Sequence, residues 1–396
     1  MADLNKLSAQ EIGRRLRLAR ENAGIRQDDA AQVIGMSRPT LVSIEKGTRG
    51  VRIQELQSLA HHYGVSVNAL LRREAVHTDL VPRFRKLHAT EGKYTAEAVQ
   101  IFNNLIKADV ELENVLGIER PRNYPPERGI NTGDVIALAE QHAQELRGWL
   151  GLGLGPIADI FSVIELGLGI RLYQRRLSSK SRVAGLFTYE EAVGACIFLN
   201  SNHPLPRRIQ SAAHELGHFY GTRHSPEVLE EDERFLSREE RYANAFGRAF
   251  LTPAASFSES FRQLKEITGK TTRRLIILLA HQYSISRQAC GLRLEELGLA
   301  KKGTWGWFED NGGITEAHVR EVLGEMTDRL DLARADSNRL ISHRMSLMAH
   351  AAWKRDLMSE GQLAELLNVG RVELRDIVDQ IELEDSETDD LCKLPD

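Results

Sequence analysis

Apolar residues recur along most of the chain at the spacing of amphipathic helices. Near the N-terminus Ile12, Leu16, Ala19 and Ala23 lie three or four positions apart, which places them on one face of a helix. The same spacing returns through much of the remaining sequence. We therefore predict a protein built mainly from α-helices.

One segment departs from this helical pattern. Residues 195–199 form a short, continuous apolar run that ends at Asn200, which is typical of a buried strand. The β-prone residues 186–189 precede it and are predicted to pair with it as a hairpin. The predicted fold class is thus α+β, mainly α with a small β-sheet.

Proline and glycine divide the chain into segments. Its 396 residues exceed the roughly 100–200 residues of one domain, Pro121, Pro125 and Pro126 mark a linker, and the glycine-rich stretch 301–313 marks a second break. We predict an N-terminal domain, a helical connector and linker, a central domain, a C-terminal helical module that resembles a helix-turn-helix, and an acidic tail. Their predicted boundaries are 1–75, 76–134, 135–300, 314–380 and 381–396.

The apolar stretch 148–170 is the one candidate for a membrane span. It contains six glycines, Pro156 and two acidic residues, whereas a spanning helix needs about 20 mostly uncharged residues. We interpret it as a glycine- and proline-rich loop followed by a buried helix. Residues 1–10 are polar and lack the apolar core of a signal peptide. We therefore expect a cytoplasmic protein without a membrane partner.

Charge is distributed unevenly along the chain. The formal net charge is −4, from 56 acidic and 52 basic residues, which excludes a wholly basic chromatin-like protein. Residues 1–75 nevertheless hold twelve Lys and Arg against eight Asp and Glu, and residues 381–396 hold seven acids and one Lys. This last segment has too little apolar surface to fold and is predicted to be disordered.

Cysteine is scarce. Cys196, Cys290 and Cys392 lie far apart and form no C-x-x-C pair. The sequence therefore argues against a disulfide scaffold and against a structural zinc site made of thiolates.

Residues 27–47 have the pattern of a helix-turn-helix. Gln27–Ile34 predicts a short helix, Gly35 supplies the tight turn, and Ser37 stands at the N-cap of a second helix, Arg38–Lys46. The second helix begins with small polar and basic residues, as a helix that reads the major groove of DNA requires.

Residues 11–72 resemble the Xre/Cro-type helix-turn-helix family. The resemblance depends on family-like residues at Gln27, Gly35, Ser37, Thr40, Ile44, Glu45 and Gly47. It implies a five-helix domain that binds an operator in double-stranded DNA, usually as a homodimer on a palindromic site, with Glu45 in a structural role. The implied DNA contacts are Gln27, Ser37, Arg38, Thr40 and Ser43. The alternative is a helical protein-interaction module.

The motif His214-Glu215-Leu216-Gly217-His218 indicates zinc chemistry. On a helix, histidines four positions apart project from one face and can bind one Zn²⁺. Glu215 follows the first histidine, where its carboxylate can act as general base for a water molecule beside the metal. The motif follows a strand-like run and lies among apolar residues, which argues against a chance match on a surface helix.

Two residues compete for the third zinc ligand. His224 completes the spelling H-E-x-x-H-x-x-G-x-x-H of metzincins, but that class also needs a Met-turn, and the next methionine is Met326, about a hundred residues on. Glu240 shares one face of a second predicted helix with Asn244, which could orient a ligand. The residues alone leave both candidates open.

Residues 140–300 resemble the ImmA/IrrE family of zinc metallopeptidases. The resemblance depends on the strand ending at Asn200, the segment 207–218, and Glu240-x-x-Ala243-Asn244-x-Phe246 closing on Leu251-x-Pro253. Residues 156–160 and 166–170 are similar to the opening helix and strand of the family. Gly247-Arg248 depart from its usual small apolar residues.

This second resemblance implies a zincin-like endopeptidase of the gluzincin type. Its implied zinc ligands are His214, His218 and Glu240, with Glu215 as the catalytic base. His224, Tyr220 and Tyr242 are candidates for stabilising an oxyanion.

Together the two resemblances imply a bacterial regulator. It would bind DNA and cleave a small repressor or antitoxin-type protein, and so derepress stress, phage or mobile-element genes. The alternative is a transcription factor whose zinc fold is a ligand sensor or a structural core without protease activity.

Overall fold

The structure is a computed structural model that describes residues 9–63, 70, 93–224, 227–230, 237–324, 341–379 and 381. Most of the predicted fifth helix of the N-terminal domain, the start of the predicted connector, Met326 and the predicted acidic tail after residue 381 lie outside the described residues. The chain divides into two compact units, residues 1–77 with 111–118 and residues 78–110 with 119–396.

The first unit contains the helix-turn-helix. Its described helices are α1 (Ala9–Asn22), α2 (Gln27–Val33), α3 (Arg38–Glu45) and α4 (Ile53–Tyr63). Gly35 has φ +64°, so it makes the left-handed turn between α2 and α3 that the sequence predicts. Leu16, Leu41 and Leu59 are fully buried and form the centre of the core of this unit.

A buried carboxylate joins three of these helices. Glu45, at the end of α3, accepts hydrogen bonds from Arg20 Nε of α1 at 2.6 Å and from Gln27 Nε2 of α2 at 2.9 Å. Because a buried charge must be paired and hydrogen-bonded, this contact fixes the relative positions of α1, α2 and α3. Glu45 thus has a structural position.

The second unit is mainly helical. Its described helices begin with α5 (Lys93–Leu116), which belongs to this unit over residues 93–110. The others are α6 (Val135–Trp149), α7 (Ile160–Ser162), α8 (Leu205–Gly221), α9 (Arg238–Leu251), α10 (Ala254–Thr268), α11 (Arg273–Gln282), α12 (Arg287–Glu296), α13 (Thr304–Asp310), α14 (Glu316–Leu323), α15 (His343–Lys354) and α16 (Glu360–Leu367). Residues 371–379 are also helical. In the part of the chain that the structure describes, no helix is both long and apolar enough to cross a membrane.

A four-stranded mixed sheet completes the second unit. Its strands are β1 (Arg171–Arg175), β2 (Val183–Glu190), β3 (Gly194–Asn200) and β4 (Glu227–Glu230), in the order β1-β3-β2-β4. β1 is parallel to β3, whereas β2 is antiparallel to both β3 and β4. The predicted hairpin is confirmed as β2 and β3, with Leu186 opposite Phe198. The predicted fold class, mainly α with a small sheet, is confirmed as well.

Helices cover both faces of β3, which explains its continuous apolar sequence. Ile197 and Leu199 belong to the large core that also contains Leu216 of α8. On the opposite face the ring of Phe198 lies 5.8 Å from that of Phe102 of α5. Alternate residues of a strand point to opposite faces, so a strand covered on both faces needs apolar residues at every position.

The predicted strand at residues 166–170 is wrong. After the loop that precedes α7, residues 163–167 form a π-helical turn, and Gly169 then has a positive φ of +75°. The strand begins only at Arg171. The glycine provides a left-handed conformation that other residues rarely adopt. The interpretation of residues 148–170 as a loop followed by a buried helix agrees with this geometry.

Helices α8 and α9 cross at close range because glycines lie at their contact. A Cβ atom added to Gly217 of α8 would lie 2.8 Å from Ala243 Cα, and one added to Gly247 of α9 would lie 3.0 Å from the backbone nitrogen of His214. The distance between packed helices depends on the side chains at their contact. Gly247 departs from the family pattern, but its lack of a side chain allows the two helices to cross at this distance.

We predict that Gly217→Ala lowers the free energy of unfolding by roughly 1–3 kcal/mol, because the new methyl group overpacks the crossing. Gly148→Ala is the matched control: Gly148 is also helical, but no atom lies within 4 Å of its added Cβ. It should change the same free energy by less than about 1 kcal/mol. Urea unfolding followed by circular dichroism measures both, and equal stability of the two variants would contradict the prediction.

Candidate metal centre

Helix α8 presents both motif histidines on one buried face. His214 and His218 are one turn apart and only 3% and 1% exposed. Their Nε2 atoms lie 3.0 Å from each other. The helical spacing of four residues is therefore sufficient to bring two imidazole nitrogens to one point.

Helix α9 brings a carboxylate to the same point. Glu240 lies in its first turn, where Ser237 caps the helix by accepting a hydrogen bond from the Glu240 backbone N–H at 3.1 Å. Glu240 Oε2 is 3.4 Å from His214 Nε2, and Oε1 is 3.2 Å from His218 Nε2. One potential ligand atom from each of the three buried residues lies within 4.8 Å of the other two.

Neighbouring side chains set the orientation of both imidazole rings. Asn244 Oδ1 lies 3.2 Å from His214 Nδ1, and because an amide oxygen only accepts, the imidazole N–H points to it. Thr222 Oγ1 lies 3.1 Å from His218 Nδ1. The contact with Asn244 thereby leaves the unprotonated Nε2 of His214 facing Glu240, and Thr222 holds the ring of His218. The sequence indicated Asn244 but missed Thr222, although its position four residues after His218 was a usable signal.

Burial and neighbouring side chains shift the pKa values of His214 and Glu240. Burial and the adjacent His218 lower the pKa of His214 to about 3, so His214 is a neutral ligand at pH 7. For Glu240 burial raises the pKa, but the hydrogen bond from His218 and electrostatic interactions with the two imidazole rings outweigh this effect and lower the pKa overall. Two imidazoles and one carboxylate form a donor set that fits a catalytic zinc site with an open fourth position.

Glu215 is fully buried and lies against strand β2. A Cβ atom added to Gly185 would collide with its carboxylate oxygen Oε1. Gly185 is not among the residues predicted from the sequence to belong to the site, although a glycine inside a strand often marks the close approach of another group. Gly185 thus leaves the space that the carboxylate of the HExxH motif occupies.

His224 lies apart from the three clustered side chains. Helix α8 ends at Gly221, so the helical periodicity that aligns the motif histidines stops before residue 224. The His224 side chain is 73% exposed, and its Nε2 lies 3.5 Å from Glu127 Oε2. A Cβ on Gly221 would meet Tyr242, which gives this glycine a packing role apart from any metzincin motif. Glu240, not His224, is the residue placed beside His214 and His218.

Both tyrosines considered as oxyanion stabilisers have hydrogen-bond partners on helix α6. Tyr220 donates its hydroxyl hydrogen to Glu145 Oε2 at 3.1 Å, and the Tyr242 hydroxyl lies 2.8 Å from His142 Nδ1. Burial raises the pKa of both hydroxyls. These contacts give each tyrosine a structural role between α6 and the helix that carries it.

The predicted DNA contacts lie at the start of α2 and along α3. Ser37 and Arg38 are exposed, whereas Gln27, Thr40 and Ser43 are half-buried. Ser37 is the N-cap residue of α3, but its hydroxyl contacts the Thr40 hydroxyl at 3.0 Å instead of a backbone N–H. Gln27 Oε1 accepts a hydrogen bond from Arg38 Nε at 3.3 Å. The structure thus gathers small polar groups and one cation at the N-terminal end of this helix.

Comparison with known proteins identifies both parts of the chain. Residues 167–295 match the family model described as the IrrE N-terminal-like domain, and residues 11–73 match one described as a helix-turn-helix domain. Both resemblances drawn from the sequence are confirmed. The chain therefore joins an N-terminal helix-turn-helix domain to a domain of the metallopeptidase type.

No curated protein matches the chain. Among solved structures, ComR from Streptococcus suis is 11% identical, with a match that covers 96% of this chain and 97% of that one. The TM-score of 0.16 is too low to indicate a shared fold.

We predict that Glu240→Ala and His214→Ala abolish stoichiometric zinc binding, because each removes one of three ligands. Asn244→Ala should retain zinc but weaken its binding by about 10–100-fold, the usual effect of losing a group that orients a ligand. His224→Ala is the control and should bind zinc as the unmodified chain does. Elemental analysis and chelator competition measure these effects, and loss of zinc from His224→Ala alone would contradict the assignment.

Proposed function

Because a helix-turn-helix domain and a metallopeptidase-type domain occur in one chain, we propose that the protein is a transcriptional regulator with zinc-dependent endopeptidase activity. Its substrate in this proposal is a small repressor or antitoxin-type protein, whose cleavage derepresses stress, phage or mobile-element genes. The observation that carries the proposal is the convergence of His214, His218 and Glu240, in a motif where Glu215 directly follows His214.

The proposed reaction uses residues of α8 and α9. His214, His218 and Glu240 would hold a zinc ion, which would supply Lewis-acid activation of a water molecule and of the scissile carbonyl group. Glu215 removes a proton from the attacking water and delivers it to the leaving amine nitrogen. Asn244 and Thr222 hold the two imidazole rings in the orientation that binding requires.

The helix-turn-helix gives the regulator its DNA partner. In this proposal Gln27, Ser37, Arg38, Thr40 and Ser43 contact an operator in double-stranded DNA. A homodimer would place two copies of α3 in successive major grooves, as helix-turn-helix dimers do on palindromic sites.

The alternative function assigns the metallopeptidase fold to sensing or to structure alone. Glu215 argues against it, because a purely structural zinc site needs no general base. Transcript profiling of an Arg38→Ala/Thr40→Ala variant beside a Glu215→Gln variant distinguishes the two. If only the DNA-binding variant changes expression, peptidase activity is not needed for regulation.

We predict that Glu215→Gln retains one equivalent of zinc but loses proteolysis by about 10²–10⁴-fold, the usual contribution of a general base. The measurement is the cleavage rate of small helix-turn-helix repressors encoded beside the gene for this chain, with products identified by mass spectrometry. Glu266→Gln, an exposed substitution on α10, is the control and should cleave normally. Equal rates for the two variants would remove Glu215 from the mechanism.

We also predict a steep salt dependence of DNA binding. Between 50 and 200 mM salt the affinity should fall by roughly a thousandfold or more if a dimer contacts at least six phosphates. Genomic fragments enriched by the full chain serve as probes in gel-shift titrations. Arg38→Ala/Thr40→Ala should lose the preference for enriched fragments, while Glu215→Gln keeps it. A flat salt response would count against DNA as the partner.

A further inference from the structure

A cavity of about 420 Å³ lies in the second unit, and none of the three candidate zinc ligands lines it. Its walls are mainly apolar and come from α7, β1, α8 and the segment before α15. They include Ile160, Leu172, Leu205, Ile209 and Ile341. Sites for small molecules in proteins usually measure roughly 300–1,000 Å³ and have mostly apolar walls with a few polar groups.

One carboxylate interrupts the apolar lining. Glu165 lies on the π-helical turn after α7 and is only 8% exposed. Its carboxylate accepts hydrogen bonds from the Ser342 side chain and from the Arg344 backbone N–H, at the N-terminus of α15. The buried atom Oε1 has no hydrogen-bond partner in the part of the chain that the structure describes.

An acceptor of this kind points to a ligand. Buried polar atoms in proteins are almost always hydrogen-bonded. We therefore expect a ligand in the cavity to donate a hydrogen bond to this carboxylate oxygen. A cationic ammonium group suits a carboxylate best, because the resulting hydrogen bond is charge-assisted. π-helical turns are also frequent at functional sites.

We propose that this cavity binds a small amphipathic amine. Its apolar body lies against Ile160, Leu172 and Ile209, and its ammonium group donates a hydrogen bond to Glu165 Oε1. This site is separate from the proposed zinc site and does not depend on peptidase activity.

The position of the cavity gives ligand binding a structural consequence. Leu205 and Ile209 belong to α8, the helix that carries the HExxH motif, whereas Ile341 and Ser342 lead into α15. A ligand that contacts both walls stabilises the packing of α15 on the metallopeptidase-type core, because it binds only where the two are together. Ligand binding thus couples the C-terminal helices to the helix of the metal site.

The test is calorimetric titration of the full chain with n-hexylamine, n-hexanol and hexanoate. We expect hexylamine to bind roughly tenfold or more tightly than hexanol, as a hydrogen bond to a charged group predicts. Hexanoate should bind more weakly than either. Glu165→Gln should weaken hexylamine by about the same factor and leave hexanol unchanged, which also shows that the variant is folded.

Two further variants complete the test. Leu205→Trp fills the cavity from a half-buried position and should weaken both hexylamine and hexanol, whereas Glu266→Gln should change neither. The same affinities are expected after zinc is removed with a chelator, so failure of the peptidase proposal leaves this result intact. Absence of saturable hexylamine binding, equal binding to Glu165→Gln, or tighter binding of hexanoate would overturn the proposal.

Discussion

The close crossing of α8 and α9 is the contact on which the candidate zinc site depends. The two motif histidines lie on the same helix, but the carboxylate comes from a second helix. The backbones of the two helices are so close that a Cβ atom would not fit between them at the contact glycines. Gly217 and Gly247 make that approach possible because neither places a side chain between the backbones. At this distance between the helices, Glu240 contacts both imidazoles, and Asn244 on the next turn contacts Nδ1 of His214.

The site also depends on its burial. Desolvation keeps His214 neutral, whereas hydrogen bonding and the nearby imidazoles keep Glu240 ionised. A buried carboxylate beside two imidazoles is an arrangement that a divalent cation stabilises, because the cation compensates the negative charge that water no longer solvates. The sheet contributes a small but specific part: the glycine in β2 leaves room for the Glu215 carboxylate.

Buried carboxylates recur as contacts between secondary-structure elements in this chain. Glu45 joins helices of the first unit, and Asp109 of α5 accepts hydrogen bonds from Arg120 and from the Tyr173 hydroxyl of β1. Glu165 similarly caps α15, but it retains one oxygen without a donor among the described residues. This difference separates a carboxylate that only supports the fold from one that is also available to a ligand.

The sequence by itself determined whatever depends on local spacing. Two histidines four residues apart share a helix face in any fold, a continuous apolar run becomes a covered strand, and Gly35 turns the chain because few other residues adopt its conformation. Only the tertiary structure shows that Glu240, and not His224, lies beside the two motif histidines. His224 is much nearer to His218 along the sequence, six residues away against 22 for Glu240. However, α8 ends before His224, whereas the α8–α9 crossing brings Glu240 back to the histidines. The tertiary structure also corrected the predicted strand at 166–170. The cavity beside Glu165 could not be predicted from the sequence either. Its walls come from segments up to 186 residues apart, from Ile157 to His343, and sequence spacing does not encode such distant contacts.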